Sequence, residues 1–312
     1  MKKSSKIYVA GHRGMVGSAI KRKLEKLGFN NLIYKTRKQL DLTDFRKTKK
    51  FLETEQPDYV FVAAARVGGI IANRTYPMDF FYHNMAIQLN LIHAAHLVGV
   101  RKLLFMGSTC IYPKLAEQPL KEDHLLTGPL EPTNEAYAIA KIAGIKMCHY
   151  YNFQHGTNFI TVMPTSLYGP HDNFDLEGSH VIPAMLRKFH EAKVRGDRKV
   201  TLWGTGKPRR EFMYVDDLAD ALLFLMQSYD TSELINIGIG ADYEIREIAD
   251  KVAGVVGYQG SVEYDTSKPD GTPRKLVDTS KLDALGWKPT VGLEEGLKVT
   301  YDWFLQHAHK FK

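Results

Sequence analysis

Tyr137 and Lys141 lie four residues apart in a stretch with helical periodicity, so their side chains are predicted to share one helix face. A free tyrosine has a pKa of about 10, but a neighbouring ammonium stabilises its phenolate. Such a tyrosine could exchange a proton with a carbonyl oxygen closer to neutral pH. With 16 tyrosines in the chain, about one such spacing arises by chance. The position of the pair in the fold therefore has to decide its role.

Ser108 follows a predicted strand, residues 102–106, and is expected at the carboxyl edge of a sheet. Open α/β folds bind their ligands at that edge. Its hydroxyl could hydrogen-bond the carbonyl that Tyr137 protonates. A serine that only closes a turn after a strand is an equally ordinary explanation when the residue is taken alone.

Cys110 and His180 have side chains that can exchange protons. Cys110 lies two residues beyond Ser108 on a predicted extended segment, so both side chains are expected to point to the same side. A histidine can exchange protons near neutral pH. Taken alone, a buried cysteine and a lone histidine are more often structural.

A glycine-rich turn predicts a dinucleotide site. Residues 11–17 read Gly-His-Arg-Gly-Met-Val-Gly, follow the first predicted strand and open the first predicted helix. Glycines there allow a tight turn and close approach of a pyrophosphate, which the helix N-terminus attracts. A lone glycine triplet is a weak signal, and its position in a strand–helix–strand unit is what makes the prediction specific.

The second strand favours NADP over NAD. An NAD enzyme usually carries an acidic residue at the end of this strand, whereas residues 34–38 read Tyr-Lys-Thr-Arg-Lys. A carboxylate would repel a 2′-phosphate, but Arg37, helped by Arg13, could pair with it. The alternative is that Arg37 is an ordinary exposed arginine.

These residues are positioned by alternating strands and helices. Strands are predicted at 7–10, 32–35, 59–65, 102–106 and 159–163, and helices at 16–27, 45–55, 80–98 and 135–154. This alternation predicts an α/β fold with a doubly wound parallel sheet. Loops are predicted after residue 164, at 169–170, 173–178, 204–208 and 269–273. We expect an NADP-binding domain over residues 1–165, joined again by about 212–240, and a smaller, mainly substrate-binding domain over residues 166–312.

Composition narrows the class of protein. The 312 residues are 44% hydrophobic and 25% charged, as in an ordinary globular enzyme. The net charge of +7 suits anionic ligands, but no basic motif interleaved with aromatic residues supports nucleic-acid binding. No apolar stretch approaches a membrane span, and the N-terminal apolar run is shorter than that of a signal peptide. With only two cysteines, Cys110 and Cys148, we expect a reducing compartment, the cytoplasm.

Taken together, the sequence resembles the extended short-chain dehydrogenase/reductase family over the whole chain. The resemblance is carried by residues 11–17, 107–113, 131–134, 137–146, 168–174, 180–183 and 268–275. It is strongest to members that act on GDP-4-keto-6-deoxy-D-mannose, inverting carbons 3 and 5 and reducing the ketone at carbon 4 with NADPH. The resemblance therefore implies a GDP-sugar substrate, and a homodimer is expected on the same ground.

The resemblance also implies a role for each candidate residue. Catalysis would use Ser108, Cys110, Tyr137, Lys141 and His180. Cys110 and His180 would be the acid and base that invert carbons 3 and 5, whose protons the neighbouring ketone acidifies. The cofactor would contact Gly11, His12, Arg13, Gly14, Met15, Val16, Gly17, Arg37, Asp41, Leu42, Lys141, Pro164, Leu167 and His180. The GDP-sugar would contact Lys188, Trp203, Arg210, Asp270 and Lys275, and no metal site is expected. Three departures from the family pattern, at Ser166, Lys188 and residues 213–214, concern substrate affinity more than the reaction.

Several other functions remain as alternatives. A nucleotide-sugar 4-epimerase or 4,6-dehydratase would share Ser108, Tyr137 and Lys141 and keep its NAD tightly bound. A dehydratase usually has Thr-Asp-Glu where this chain has Ser-Thr-Cys at 108–110. A reductase of a related GDP-keto-heptose fits the same residues, whereas an enzyme that only reduces would not need Cys110 and His180. An NADP-sensing regulator without turnover commonly loses the tyrosine or the lysine, and this chain retains both.

Overall fold

A computed structural model of the chain describes residues 1–176, 178–268 and 270–311. The strands in these ranges are β1 (Ile7–Ala10), β2 (Leu32–Ile33), β3 (Tyr59–Val62), β4 (Lys102–Met106), β5 (Phe159–Pro164), β6 (Ser166–Tyr168), β7 (Lys199–Trp203), β8 (Arg209–Arg210), β9 (Phe212–Tyr214), β10 (Leu234–Ile237), β11 (Tyr243–Glu244), β12 (Ser261–Asp265) and β13 (Arg274–Lys275). The helices are α1 (Met15–Lys26), α2 (Phe45–Glu55), α3 (Ile70–Thr75), α4 (Pro77–Leu97), α5 (Glu135–His155), α6 (Val181–Arg195), α7 (Val215–Ser228), α8 (Ile245–Val256), α9 (Ser280–Ala284) and α10 (Leu293–His307). Short 3₁₀ turns occur at Thr109–Ile111, Glu122–His124 and Ala308–Phe311. Glu177 and Pro269, which fall in the predicted loops 173–178 and 269–273, lie outside the described residues.

The central sheet is parallel throughout, which confirms the predicted α/β class. Its strand order is β10-β5-β4-β3-β1-β2. β1 lies between β2 and β3, so the connections that follow these strands run to opposite sides of β1. The crevice at the carboxyl end of β1 is therefore the topological switch point, where such sheets bind ligands. The second and third strands end at Ile33 and Val62, earlier than the sequence predicts, because their pairing with β1 ends there.

Helices cover both faces of this sheet. In β1, Ile7 and Val9 pack into one apolar cluster with α1 and α7, whereas Tyr8 and Ala10 pack into a second cluster with α4 and α5. Strand side chains alternate between faces, so a strand buried on both sides reads as a continuous apolar run. Full burial of an aliphatic side chain such as Ile7 or Val9 contributes about 1.5 to 3 kcal/mol of hydrophobic stabilisation.

Beyond β5 the chain builds a second layer of short elements. β6 pairs with β9, β7 pairs with β12, and β8 lies between β11 and β13. A third apolar cluster joins α6, α8 and α10. The chain then returns to the central sheet, because α7 packs on α1 and β10 pairs with β5. This layer covers the carboxyl edge of the sheet, the edge on which Ser108 lies.

None of the helices in the described residues is long and apolar enough to cross a membrane.

Candidate active site

The glycine turn after β1 forms a cradle that only glycine can form. Gly11 has φ +83°, and a Cβ there would lie 2.7 Å from the backbone nitrogen of Ala64, just beyond β3. A Cβ on Gly17 would lie 2.1 Å from the Gly11 carbonyl oxygen, so the first turn of α1 packs directly against the loop. Gly14 caps α1 and has only the Gly11 oxygen near its Cβ position, at 3.6 Å. The residues present therefore fit a dinucleotide pyrophosphate over the N-terminus of α1.

Arg13 lies in this glycine turn, and Arg37 follows β2, the strand that neighbours β1. Arg13 and Arg37 are exposed, and neither forms an ion pair with the residues that the structure describes. His12 packs against Tyr34 with ring centroids 5.1 Å apart, and its buried Nδ1 has no hydrogen-bond partner within the described ranges. Unpaired guanidinium groups and an orphaned ring nitrogen suit an anionic ligand.

The remaining cofactor candidates line the same side of the sheet. Asp41 accepts hydrogen bonds from the backbone and hydroxyl of Thr43, and these bonds, with the charge of Arg37, hold its pKa below its usual range. The Leu42 carbonyl accepts a hydrogen bond from the side-chain amide of Asn90, in α4, at 2.8 Å. Pro164 ends β5, and Leu167 lies in β6. Met15 and Val16 begin α1.

Ser108, Tyr137 and Lys141 converge at the carboxyl end of β4. Tyr137 lies in the first turn of α5 and is hydrogen-bonded to the Ser108 side chain. Lys141 is 4% exposed; its Nζ lies 5.8 Å from the centre of the Tyr137 ring and donates to the Met106 carbonyl at 2.9 Å. Two groups that can bind one carbonyl oxygen thus lie beside a buried cation.

The pKa values of this group differ from the sequence expectation. Burial raises the pKa of Tyr137, the charge of Cys110 raises it further, and the Ser108 hydrogen bond opposes the rise. Burial lowers the pKa of Lys141 to about 8. We had expected the ammonium to lower the pKa of Tyr137, but burial outweighs it because Lys141 Nζ is directed to a backbone carbonyl. A protonated phenol is the form that donates a proton.

Cys110 reaches the site by a different route from the predicted one. The extended segment predicted from Ser108 to Cys110 is wrong, since Thr109–Ile111 forms a 3₁₀ turn capped by Ser108. The Ser108 hydroxyl accepts from the Cys110 backbone N–H at 3.4 Å, and this turn brings both side chains to α5. The Asn134 amide nitrogen lies 3.2 Å from Cys110 Sγ, and Lys275 Nζ lies 3.9 Å from it.

His180 precedes α6 as its N-cap residue. The residue has an edge open to solvent, but most of its ring is packed against protein atoms, and this desolvation lowers its pKa. The imidazole is therefore largely neutral near pH 7 and able to take up or deliver a proton.

The five substrate candidates form a connected group rather than isolated surface residues. Lys188 Nζ lies 5.2 Å from the centre of the Trp203 ring. Asp270 accepts from the backbone and hydroxyl of Thr205, two residues beyond Trp203. Burial lowers the pKa of Arg210 to about 10, while the charges of Cys110 and Asp270 act to raise it. Lys275 continues the group to Cys110.

Sequence reasoning missed two residues of this site. Lys268 Nζ lies 6.0 Å from the centre of the Trp203 ring, as a second cation beside Lys188. Asn134 contacts Cys110. Both lie within motifs that carried the family resemblance, but nothing in their type or spacing assigned them a role. A cleft beside Cys110 is lined by Tyr112, Glu131, Arg274 and Lys275 among others.

Metal binding has no obvious location in the structure. Within residues 1–176, 178–268 and 270–311, no group of three or more His, Cys, Asp or Glu side chains is placed to hold an ion.

Comparison with known proteins gives consistent matches along the whole chain. The sequence profile of the NAD dependent epimerase/dehydratase family matches residues 7–238. The chain is 59% identical over 306 residues to GDP-L-fucose synthase 1 of Arabidopsis thaliana, covering 98% of this chain and 95% of that protein. It is 54% identical over 316 residues to GDP-L-fucose synthase of Escherichia coli (strain K12), covering 98% of each. A solved structure of GDP-mannoheptose C4 reductase from Campylobacter jejuni with NADP bound matches with a TM-score of 0.91 and 44% identity, covering 98% of this chain and 99% of that one.

Proposed function

The chain belongs to the NAD dependent epimerase/dehydratase family, and we propose that it converts GDP-4-keto-6-deoxy-D-mannose into GDP-L-fucose, with NADPH as the reductant. The observation that carries this proposal is the Cys110 thiol beside the Ser108–Tyr137–Lys141 group, in a chain 59% identical to a GDP-L-fucose synthase. A plain reductase has no use for that thiol.

Reduction requires a proton at the ketone oxygen. Bound NADPH supplies the hydride that adds to carbon 4. The Tyr137 hydroxyl donates the proton to the carbonyl oxygen, and the Ser108 hydroxyl holds that oxygen in place. Lys141, an ammonium below about pH 8, offsets the negative charge that develops on the tyrosine oxygen.

Epimerisation uses the same ketone without oxidation or reduction. Cys110, as a thiolate, removes the proton from carbon 3 or 5, and the electron pair of that C–H bond moves to the ketone oxygen. Tyr137 and Ser108 stabilise the resulting enolate by hydrogen bonds. His180 returns a proton from the opposite face, and the configuration inverts. The lowered pKa of His180 makes its protonated ring a stronger acid, which supports this assignment.

The GDP moiety is held by the cationic group around Trp203. Lys188 and Arg210 carry positive charge toward a pyrophosphate, while the Trp203 ring offers an apolar face. Burial lowers the pKa of both cations, and an anionic ligand between them would restore their charged forms.

Heavy water tests both halves of the reaction at once. The protein is incubated with NADPH and GDP-4-keto-6-deoxy-D-mannose in D₂O, and the product is analysed by NMR. We expect GDP-L-fucose with deuterium at carbons 3 and 5. Turnover of a GDP-keto-heptose in preference to this hexose would instead favour the activity of the Campylobacter relative. Reduction without deuterium at either carbon would refute the epimerase.

We also propose a homodimer formed through α4 and α5. These helices pack side by side and expose apolar side chains, including Tyr82, Leu89, Ile139 and Phe153. An isologous contact would bury them in a four-helix arrangement. Light scattering should give twice the monomer mass, and Leu89→Glu should yield monomers. Val299→Glu, on α10 at similar exposure, is the matched control. A wild-type monomer would refute the proposal.

The domain division and the compartment remain proposals as well. Residues 1–165 and 212–240 would bind NADP and residues 166–312 mainly the sugar nucleotide, which the return of α7 and β10 to the sheet supports. A cytoplasmic location is supported by Cys110 and Cys148, which are both free thiols. Limited proteolysis with and without NADPH would test the first proposal, and cell fractionation the second.

A further inference from the structure

Asn134 occupies the N-cap position of α5 but does not use its side chain to cap the helix. Asparagine is favoured at N-caps because its side-chain oxygen accepts a backbone N–H of the first turn. Here Asn134 Oδ1 is buried and has no hydrogen-bond partner among the residues that the structure describes. An unsatisfied buried acceptor weakens the fold and calls for a compensating role.

The other side-chain atom of Asn134 points to the candidate epimerase thiol. Asn134 Nδ2 donates to Cys110 Sγ at 3.2 Å. A neutral thiol is a weak hydrogen-bond acceptor, whereas a thiolate is a charged one, so an amide N–H favours the thiolate. The contact is therefore strongest in the form of Cys110 that removes a proton from carbon.

The backbone holds Asn134 firmly in this position. Its N–H donates to the Glu131 carbonyl at 3.2 Å, and its own carbonyl accepts from Ala138 at 3.0 Å. Glu131 is 9% exposed, and its carboxylate is paired with Lys114 at 2.9 Å. The donor on Asn134 is thus pre-positioned rather than recruited by rearrangement.

One helix start therefore connects the two halves of the reaction. Asn134 precedes α5, and Tyr137 follows within its first turn. We propose that Asn134 is a positioning residue that orients Cys110 and stabilises its thiolate for proton removal at carbons 3 and 5, at a fixed distance from the phenol that serves carbon 4. This inference rests on the proposed epimerase activity of Cys110.

The test compares substitutions that keep or remove the donor. Asn134→Asp is nearly isosteric and an equally good N-cap, but its carboxylate cannot donate to sulfur and repels a thiolate. Asn134→Ala removes the donor without adding a charge. Asn152→Ala is the matched control, because Asn152 lies in α5 at the far end and its side chain makes hydrogen bonds to Thr157 and Phe159.

Two readouts separate positioning from folding. The first is deuterium exchange into carbons 3 and 5 with NADP⁺ in place of NADPH, which reports epimerisation without reduction. The second is the pH dependence of Cys110 alkylation by iodoacetamide, which needs no substrate, and Cys148 does not interfere because it is fully buried. Thermal unfolding is measured in parallel.

We expect Asn134→Asp and Asn134→Ala to slow the exchange about tenfold to hundredfold, the range for a lost hydrogen bond to a charged group. Alkylation should require higher pH in both variants. Asn152→Ala should lower the unfolding temperature yet exchange and alkylate like the wild type. Wild-type exchange and alkylation in Asn134→Asp would overturn the inference and leave the contact with Cys110 without a role in proton removal. Absence of exchange in the wild type would instead refute the proposed function, and the inference with it.

Discussion

Replacing Cys110 by serine should separate the two activities. Serine keeps the shape and the N–H contact with Ser108, but a hydroxyl does not ionise in neutral water as a thiol can. In the native site, Asn134 Nδ2 at 3.2 Å and Lys275 Nζ at 3.9 Å both favour an anion on the sulfur. In Cys110→Ser these two donors face a neutral hydroxyl, and the base is lost.

The expected size of the effect follows from the role of a general base. Such groups contribute about 10²- to 10⁴-fold to a rate. Because two donors lose the anion that they stabilise, we expect a loss of about 10³-fold in proton exchange, or roughly 4 kcal/mol. Hydride transfer needs Tyr137 and the ketone but not the thiol, so slow reduction of the unepimerised sugar to a GDP-6-deoxyhexose of the D series should remain.

The assay measures exchange and product configuration separately. Deuterium incorporation at carbons 3 and 5 is followed with NADP⁺, and the product formed with NADPH is identified by NMR. Cys148→Ser is the control, because Cys148 is buried in the core away from the site and its loss affects stability alone. Release of GDP-L-fucose at the wild-type rate by Cys110→Ser, or by His180→Ala, would refute the epimerisation roles.

Four further predictions follow from the site and its supports. Arg37→Asp should reverse a preference for NADPH over NADH, because a carboxylate repels the 2′-phosphate; equal kcat/KM for the two cofactors in the wild type would contradict this. Tyr137→Phe should abolish reduction while NADPH still binds, as measured by fluorescence titration, because only the proton donor is removed. The rate of reduction at saturating substrate should fall as the pH rises through about 8, since burial lowers the pKa of Lys141 to about 8 and the ammonium is lost above it. Glu211→Ala should lower the free energy of unfolding by about 3 kcal/mol in urea titrations, because the buried carboxylate accepts backbone N–H groups of Ile239, Gly240 and Val277; Glu211→Gln should lower it less.

The sheet was predictable because its signal is local. Apolar runs such as the one at β1, followed by a glycine turn and an amphipathic stretch, specify a strand, a turn and a helix within about 20 residues. The ends of β2 and β3 were less predictable, since they depend on where pairing with β1 stops: Ile33 pairs with Tyr8, and Val62 pairs with Ala10. The sequence of one strand alone does not determine where its pairing with a distant strand ends.

In the site, too, the local arrangement was predictable from the sequence and the contacts between distant segments were not. Tyr137 and Lys141 lie one helical turn apart, so their proximity follows from spacing. Cys110 lies in a 3₁₀ turn, and the Asn134 side chain contacts it instead of capping α5. These two residues are 24 apart in the sequence, so their contact does not follow from local spacing. Nothing in the sequence distinguishes Glu211 from the other acidic residues, of which the chain has 35 in total. Its role depends on backbone N–H groups at residues 239, 240 and 277, which are distant in the sequence.

The return of β10 to the central sheet sets an order for synthesis on the ribosome. β5 is complete at Pro164, but its outer edge has no partner until Leu234–Ile237 has been translated. During that interval the nascent chain carries an unpaired parallel strand edge, the kind of surface that recruits other chains. A gene divided after residue 165 would leave that edge open permanently. We expect such an N-terminal fragment to aggregate when expressed alone and to regain solubility when the remainder of the chain is supplied with it.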